Sequence, residues 1–278
     1  MRTASPGSPG NLMSPGIAAT FDELVAEGEA VPTEGWDFSW FAGRATEERP
    51  AWGYSSLLAD RMRAAEAALD MQTGGGEVLA AVPVLPPVLA ATESWPPNVG
   101  IARRNLAPFG ATVVAMTDDA ADLPFPDGHF DLVVSRHPVV TRWDEVRRVL
   151  RPGGTYLAQH VGAGSVRELT EFMMGQNPFP PPPPARPFTT RSGATPTGAV
   201  AVAESAGLVV VDVRQQALRM EFHDIAAVVH FLRKVIWTVP GFTADAYRER
   251  LVELHDFIER HGPFVAHAQR FLIEARRP

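Results

Sequence analysis

The stretch Ala68-Leu69-Asp70-Met71-Gln72-Thr73-Gly74-Gly75-Gly76-Glu77 decides how this chain is read. A short apolar run ends in an acid, three glycines follow, and a helix-compatible segment begins. A buried strand, a tight turn and a helix start, in that order, bring a carboxylate, backbone N–H groups and the positive end of a helix around one small polar ligand. Glycine-rich turns are common, so the stretch gains its weight from what surrounds it.

Working outward, apolar runs occur at 67–70, 87–92, 112–116, 130–135 and 155–161. Helical stretches lie between them, notably 99–106 and 143–150, and a helix at 55–68 leads into the first run. Short apolar strands alternating with helices argue for βαβ units and a parallel sheet. The helix after the glycines is cut short by Pro83, Pro86 and Pro87. Further on, a helix at 196–206 precedes a strand at 207–213 that extends or is followed by 218–222. Helices at 225–237 and 244–261 separate it from a last strand at 268–274, a hairpin-like pair with a helical insertion between its arms.

Three segments lie outside that alternation. Residues 1–16 are rich in Pro, Gly and Ser and read as a flexible arm. Residues 21–54 hold a short amphipathic helix and the aromatics Trp36, Phe38, Trp40, Phe41, Trp52 and Tyr54, an N-terminal lid by this reading. Residues 162–195 contain Pro180 to Pro184, stiff polyproline II suited to a surface connector. Residues 17–278 read as a single domain, in which the 21–54 lid, the proline-rich 162–195 loop and the 223–264 helical insertion form a cap.

Composition excludes several classes. The 278 residues carry a formal charge of −7, which argues against a phosphate-neutralising surface and hence against nucleic acid. There is no cysteine, so disulfides, thiolate metal sites and cysteine nucleophiles are out, and a reducing cytoplasm suits the chain. No stretch has the length of a membrane span, and no His/Asp/Glu cluster has metal-ligand spacing. Oligomeric state stays open, a homodimer included.

The acids at the strand ends define a ligand. In an open α/β sheet, ligands sit beyond the C-terminal ends of the strands. Asp70 ends the first strand and can pair with a cationic amine. Glu93 ends the second, at roughly the 20-residue spacing where an acid meets two ribose hydroxyls. Asp119 follows the third, where a carboxylate can accept an exocyclic adenine amine. An amine, a ribose and an adenine together describe S-adenosylmethionine better than a dinucleotide, because no phosphate-cradling group is evident.

From Leu69 to Gly154 the chain resembles the class I S-adenosylmethionine-dependent methyltransferases, in the broad group of UbiE-like small-molecule enzymes. Leu69 to Gly76 is similar to that family's first motif, and Glu93 with Ala102 to its second. Asp119-Ala120-Ala121-Asp122-Leu123-Pro124-Phe125-Pro126-Asp127-Gly128-His129-Phe130-Asp131-Leu132-Val133 matches the region of its third and fourth strands. Glu145 to Gly154 matches the helix and turn before its fifth. The resemblance implies a Rossmann-like, seven-stranded, mostly parallel sheet, the last strand antiparallel, with helices on both faces. It assigns Asp70, Gly74 and Gly76 to the methionyl part of S-adenosylmethionine, Glu93 to the ribose and Asp119 with Ala120 to the adenine. The main-chain carbonyls of Ser135 and Arg136 would face the amine. The family usually has glycine where this chain has Gln72, whose amide either crowds the methionyl part or bonds the ligand's carboxylate.

Transfer of a methyl group from a sulfonium needs alignment and a dry pocket more than it needs acid or base. A base is required only where the acceptor must lose a proton. His137 and His160, after the fourth and fifth strands, are the candidates, with His223 a weaker third. The acceptor expected is a small molecule, apolar or aromatic, held by the lid, the region after the fifth strand and the insertion. Three rivals stand: an RNA or protein methyltransferase, a non-catalytic adenosyl-binding protein, and a nicotinamide-dependent oxidoreductase. The last lacks its third glycine, since Leu79 occupies that place.

Overall fold

The structure is a computed structural model that describes residues 19–35, 37–117, 120, 122–175, 189–191 and 193–278. Its strands are β1 (Ala45–Glu47), β2 (Ala67–Met71), β3 (Val88–Glu93), β4 (Thr112–Ala115), β5 (Phe130–Arg136), β6 (Val140–Arg142), β7 (Leu150–Val161), β8 (Thr189–Arg191), β9 (Val209–Phe222) and β10 (Phe264–Arg276). Its helices are α1 (Phe21–Ala30), α2 (Tyr54–Ala64), α3 (Glu77–Ala80), α4 (Pro96–Leu106), α5 (Trp143–Val149), α6 (Arg167–Met174), α7 (Pro196–Ser205), α8 (Ile225–Lys234) and α9 (Arg248–His261).

All five residues of β2 are buried, because the strand lies inside a sheet covered on both faces. The sheet runs β1-β9-β10-β7-β5-β2-β3-β4. β4, β3, β2, β5 and β7 are mutually parallel, whereas β10 is antiparallel to both β7 and β9. This is the expected Rossmann-like sheet with its antiparallel last strand, plus one further strand: β1 pairs Ala45–Glu47 with Met220–Phe222 and makes eight. A separate two-stranded ladder joins β6 to β8.

Alternation along β2 divides the core. Ala68 faces a layer built from Tyr54, Leu58 and Met62 of α2, Leu79 of α3 and Leu106 of α4. Leu69 faces the opposite layer, with Trp143, Val146 and Val149 of α5 and Ala199 and Ala203 of α7. A third cluster lies over the long ends of β9 and β10, where α1, α6, α8 and α9 pack. There α8 is buried almost all round. Gly28 of α1 makes the approach between α1 and α8: a Cβ at that position would lie 2.5 Å from the carbonyl oxygen of Ala226.

Several boundaries differ from the sequence reading for local reasons. The helix before β2 ends at Ala64, where Ala65 turns to extended backbone. β7 begins at Leu150, five residues early, because Leu150 already pairs with Phe130 before the register shifts across Pro152-Gly153-Gly154. α8 stops at Lys234, and β10 runs the full length of β9. The proline run 180–184 and Trp36 lie outside the described residues.

Candidate functional site

The ends of β2, β3 and β4 meet at a narrow cleft lined by Met71, Gln72, Thr92, Glu93, Ser94, Met116, Thr117, Leu123 and Arg142. Asp70 sits behind it, 8% exposed, and accepts a hydrogen bond from Thr73 Oγ1 at 2.6 Å. Burial, reinforced by the nearby Glu93 carboxylate, pushes the Asp70 carboxyl up to about 7 against the opposing Thr73 bond. A buried carboxyl on that border gains most from a cationic neighbour.

Glu93 is also buried, and its two oxygens accept the N–H of Gly74 at 2.7 Å and the N–H of Trp95 at 2.9 Å. It thereby ties the glycine turn to the start of α4. Gly74 and Gly76 both adopt positive φ, 65° and 77°. At Gly76 a Cβ would meet Leu106 at 3.0 Å, so that glycine serves the packing of α4 against the turn. Asn105 adds a bond to the Gly75 carbonyl at 2.8 Å.

Gln72 has φ 56° although it is not glycine. Its amide bonds the main chain of the loop after β5, taking the Val139 N–H at 2.7 Å and giving to the Val140 carbonyl at 2.6 Å. Ser135 turns its hydroxyl to the Met71 carbonyl, while its own carbonyl accepts the Tyr54 hydroxyl at 3.1 Å. Arg136 is exposed at the end of β5. Ala120 donates its N–H to Thr117 at 3.1 Å, and Asp119 lies outside the described residues. Asp131 accepts the N–H groups of Glu66 and Ala67 at 2.8 and 3.0 Å, a structural cap on the start of β2.

The histidines are placed otherwise than a free base requires. His160 does not face a pocket: it is 1% exposed and stacks on Phe271 with centroids 4.7 Å apart, and burial pushes its imidazole down to about 3. His137, at φ 58°, is held by its N–H to the Gln159 carbonyl at 2.6 Å. Gln159 Oε1 accepts from Trp52 Nε1 at 2.9 Å, so the Gln159 amide donates to His137 Nε2, also at 2.9 Å. That assigns the ring proton to Nδ1 and leaves Nε2 occupied. Desolvation, with Arg270 and Arg136 near, holds His137 well below the ordinary imidazole range. His223 is exposed at the end of β9, 3.7 Å from Glu221.

Sequence reasoning passed over Arg142, Gln159 and Arg270 here and named Trp52 only among the aromatics of the lid. Arg142 is buried in the cleft wall. Trp52, Gln159 and Arg270 lie around His137, and Arg270 is held by Glu47 and Ser165 at 2.8 and 3.1 Å. None belongs to a motif, and only adjacency across β5, β7 and β10 assembles them. No group of metal-ligating side chains occurs among the described residues.

The donors fit S-adenosylmethionine in kind: a buried carboxyl at the end of β2 for the ammonium, a second at the end of β3 for the ribose, and a glycine turn between them. Residues 69–158 match the family described as a methyltransferase domain. No curated protein matches this chain in sequence. Among solved structures it is similar to the YcgJ protein from Bacillus subtilis, at 18% identity and TM-score 0.54 over 80% of this chain and 97% of that one. A putative methyltransferase from Bacillus halodurans gives 16% and 0.55 over 81% of this chain and 100% of that one. A functionally unknown protein from Deinococcus radiodurans gives 16% and 0.51 over 84% and 91%. At those identities the likeness is one of fold. The family match falls on the segment from β2 to β7 that holds Asp70, Glu93 and the glycine turn, and in that segment this chain is similar to a methyltransferase domain.

Proposed function

We propose that this enzyme methylates a small molecule enclosed between the ends of β5 and β7 and the segment leading into α2. The observation that carries the reading is the roof formed by Trp52 and Tyr54, fixed to Gln159 and to the Ser135 carbonyl. An aromatic roof hydrogen-bonded to the strand ends suits an enclosed acceptor better than an extended polymer. The net charge of −7 weighs against RNA in the same direction.

In this reading Asp70, Gly74 and Gly76 hold the methionyl part, Glu93 the ribose, and Asp119 with Ala120 the adenine; the Ser135 and Arg136 carbonyls flank the amine. The group supplies an electrophilic methyl on a sulfonium. The chain's own residues position and desolvate: Trp52 and Tyr54 exclude water, and Arg136 and Arg270 set a positive rim. His137 and His160 are not assigned as bases, because one has its lone pair engaged and the other is sealed in the core. The acceptor is therefore one that attacks without giving up a proton to either histidine. Residues 17–278 act as one unit, with 21–54 and 223–264 capping the sheet.

Incubation with methyl-labelled S-adenosylmethionine and a fractionated cell extract tests this reading. Label should enter the fraction of small metabolites. Label confined to RNA or to protein would contradict it, and binding of the cofactor without any transfer would favour a non-catalytic adenosyl-binding role.

A further inference from the structure

One end of the sheet gathers cations without a matching set of acids. Leu132 and Val134 of β5, Leu157 of β7 and Leu272 of β10 all pack in the layer of α2. Alternation keeps the same face two residues along each strand, at Arg136, Gln159 and Arg270. The registers keep them neighbours: Arg136 pairs with Gln159, Gln159 with Leu272, and Arg270 with Val161. Arg136 ends β5, one residue past Ser135, whose own partner is Met71 at the end of β2.

The segment leading into α2 crosses this face. Glu47 accepts from Arg270 at 2.8 Å, the Ala51 N–H reaches Gln216 Oε1 at 3.0 Å, Trp52 Nε1 reaches Gln159, and the Tyr54 hydroxyl reaches the Ser135 carbonyl. Arg270 is thus paired, and Ser165 Oγ and the Gln269 carbonyl accept from it at 3.1 Å each. Arg136 is exposed, and its guanidinium has no hydrogen-bond or ion-pair partner among the described residues. Glu47 answers one of the two cations, so the face ends in an unmatched positive charge.

His137 adds a donor beside it. An indole N–H only donates, so Trp52 fixes Gln159 Oε1 toward itself and the Gln159 amide N–H toward His137 Nε2. The ring proton then sits on Nδ1, which has no partner among the described residues and is open to solvent. Burial, then the charges of Arg270 and Arg136, hold the imidazole well below its ordinary range, so it is a neutral donor at neutral pH. The residue keeps this pose at φ 58°, a left-handed backbone that a non-glycine residue adopts at a cost.

We infer that the Arg136 guanidinium and the His137 Nδ1–H anchor a carboxylate carried by the methyl acceptor, with Arg270 behind them and Trp52 alongside. The inference rests on the reading of a small acceptor held at the ends of β5 and β7. Arginine's planar fork pairs with a carboxylate through two parallel bonds, and one unmatched positive charge suits a monoanion. A carboxylate whose oxygens are engaged in this way is a handle, so the methyl group goes to another atom of the acceptor.

The test titrates the full chain with benzoate, with its neutral isostere benzamide and with inorganic phosphate, following the imidazole nitrogens by NMR. His137→Asn assigns the His137 signals, and circular dichroism checks the fold of each variant. The free protein should show the His137 proton on Nδ1. Benzoate should shift the Nδ1 resonance saturably, and benzamide should not. Arg136→Gln should weaken benzoate at least about tenfold, and Arg136→Lys should recover part of that loss. No saturable shift with benzoate, an equal response to benzamide, or benzoate binding unmoved by Arg136→Gln overturns the anchor. Phosphate binding more tightly than benzoate overturns the choice of a carboxylate. The extract assay separates this inference from the reading beneath it. Label in small metabolites that carry a carboxylate supports both. Label only in small metabolites without an acidic group overturns the anchor and leaves the small-molecule reading standing. Label only in RNA or protein ends that reading and takes the anchor with it.

Discussion

Asp70 shows how a single side chain reports both on folding and on the ligand. Its carboxyl is raised by burial to about 7 in the folded chain, against 3.8 as the ordinary value. The folded state therefore retains the proton that the unfolded state gives up. Stability from this group is fully present below about pH 4 and is lost as pH rises to about 7. Asp70→Asn should accordingly raise the melting temperature at pH 8 and leave it little changed at pH 4. An equal shift at both pH values would show that burial of the charge is not the cause. A cationic ligand would reverse the effect, so binding near pH 7 should release a proton. Calorimetry in buffers of different ionisation heat reads that directly. At this scale Asp70 and Glu93 were legible, because each is an acid that closes an apolar run. The burial of His160 and the engagement of His137 were not: they depend on Phe271 and Gln159, which only strand adjacency brings near.

Among the elements, α5 fixes the wall of the cleft at Leu123. Its Arg148 donates to the carbonyls of Leu123 and Phe125, to Asp127 and to both oxygens of Glu145, whose second role is to accept the Leu123 N–H at 2.6 Å. Replacing Arg148 with Met would strand a buried carboxylate. The loss should be about 3 kcal/mol in denaturant unfolding, toward the low end for such pairs because Arg148 is itself partly exposed. In the cap, Gly28→Ala sets a Cβ against the Ala226 carbonyl and should cost about 1–3 kcal/mol by the same measurement. A neutral result would mean that α1 shifts on α8 freely. The parallel strands were legible from their apolar runs. β1 was not, because Ala-Thr-Glu has no apolar alternation and is a strand only by virtue of pairing with the end of β9. The ladder of β6 with β8 escaped for the same reason.

For the whole molecule, the order of strands is what makes a site out of scattered acids. Placing β2 between β3 and β5 sets Asp70 beside Glu93 and Ser135, residues far apart in sequence. The order of motifs from Leu69 to Gly154 made that architecture legible, since turn, acid and helix recur at the ends of successive βα units. What the motifs do not carry is the proposed acceptor side, to which residues from the first and last quarters of the chain contribute, Trp52 and Arg270 among them. No helix among the described residues is long and apolar enough to cross a membrane. The measurement that bears most directly on the central claim is calorimetric titration of the full chain with S-adenosylhomocysteine, with NADH as control, repeated on Glu93→Gln after its fold is checked. The account predicts one adenosyl ligand per chain, no NADH binding, and at least about a tenfold loss in Glu93→Gln. Absence of adenosyl binding, or preference for NADH, would contradict it.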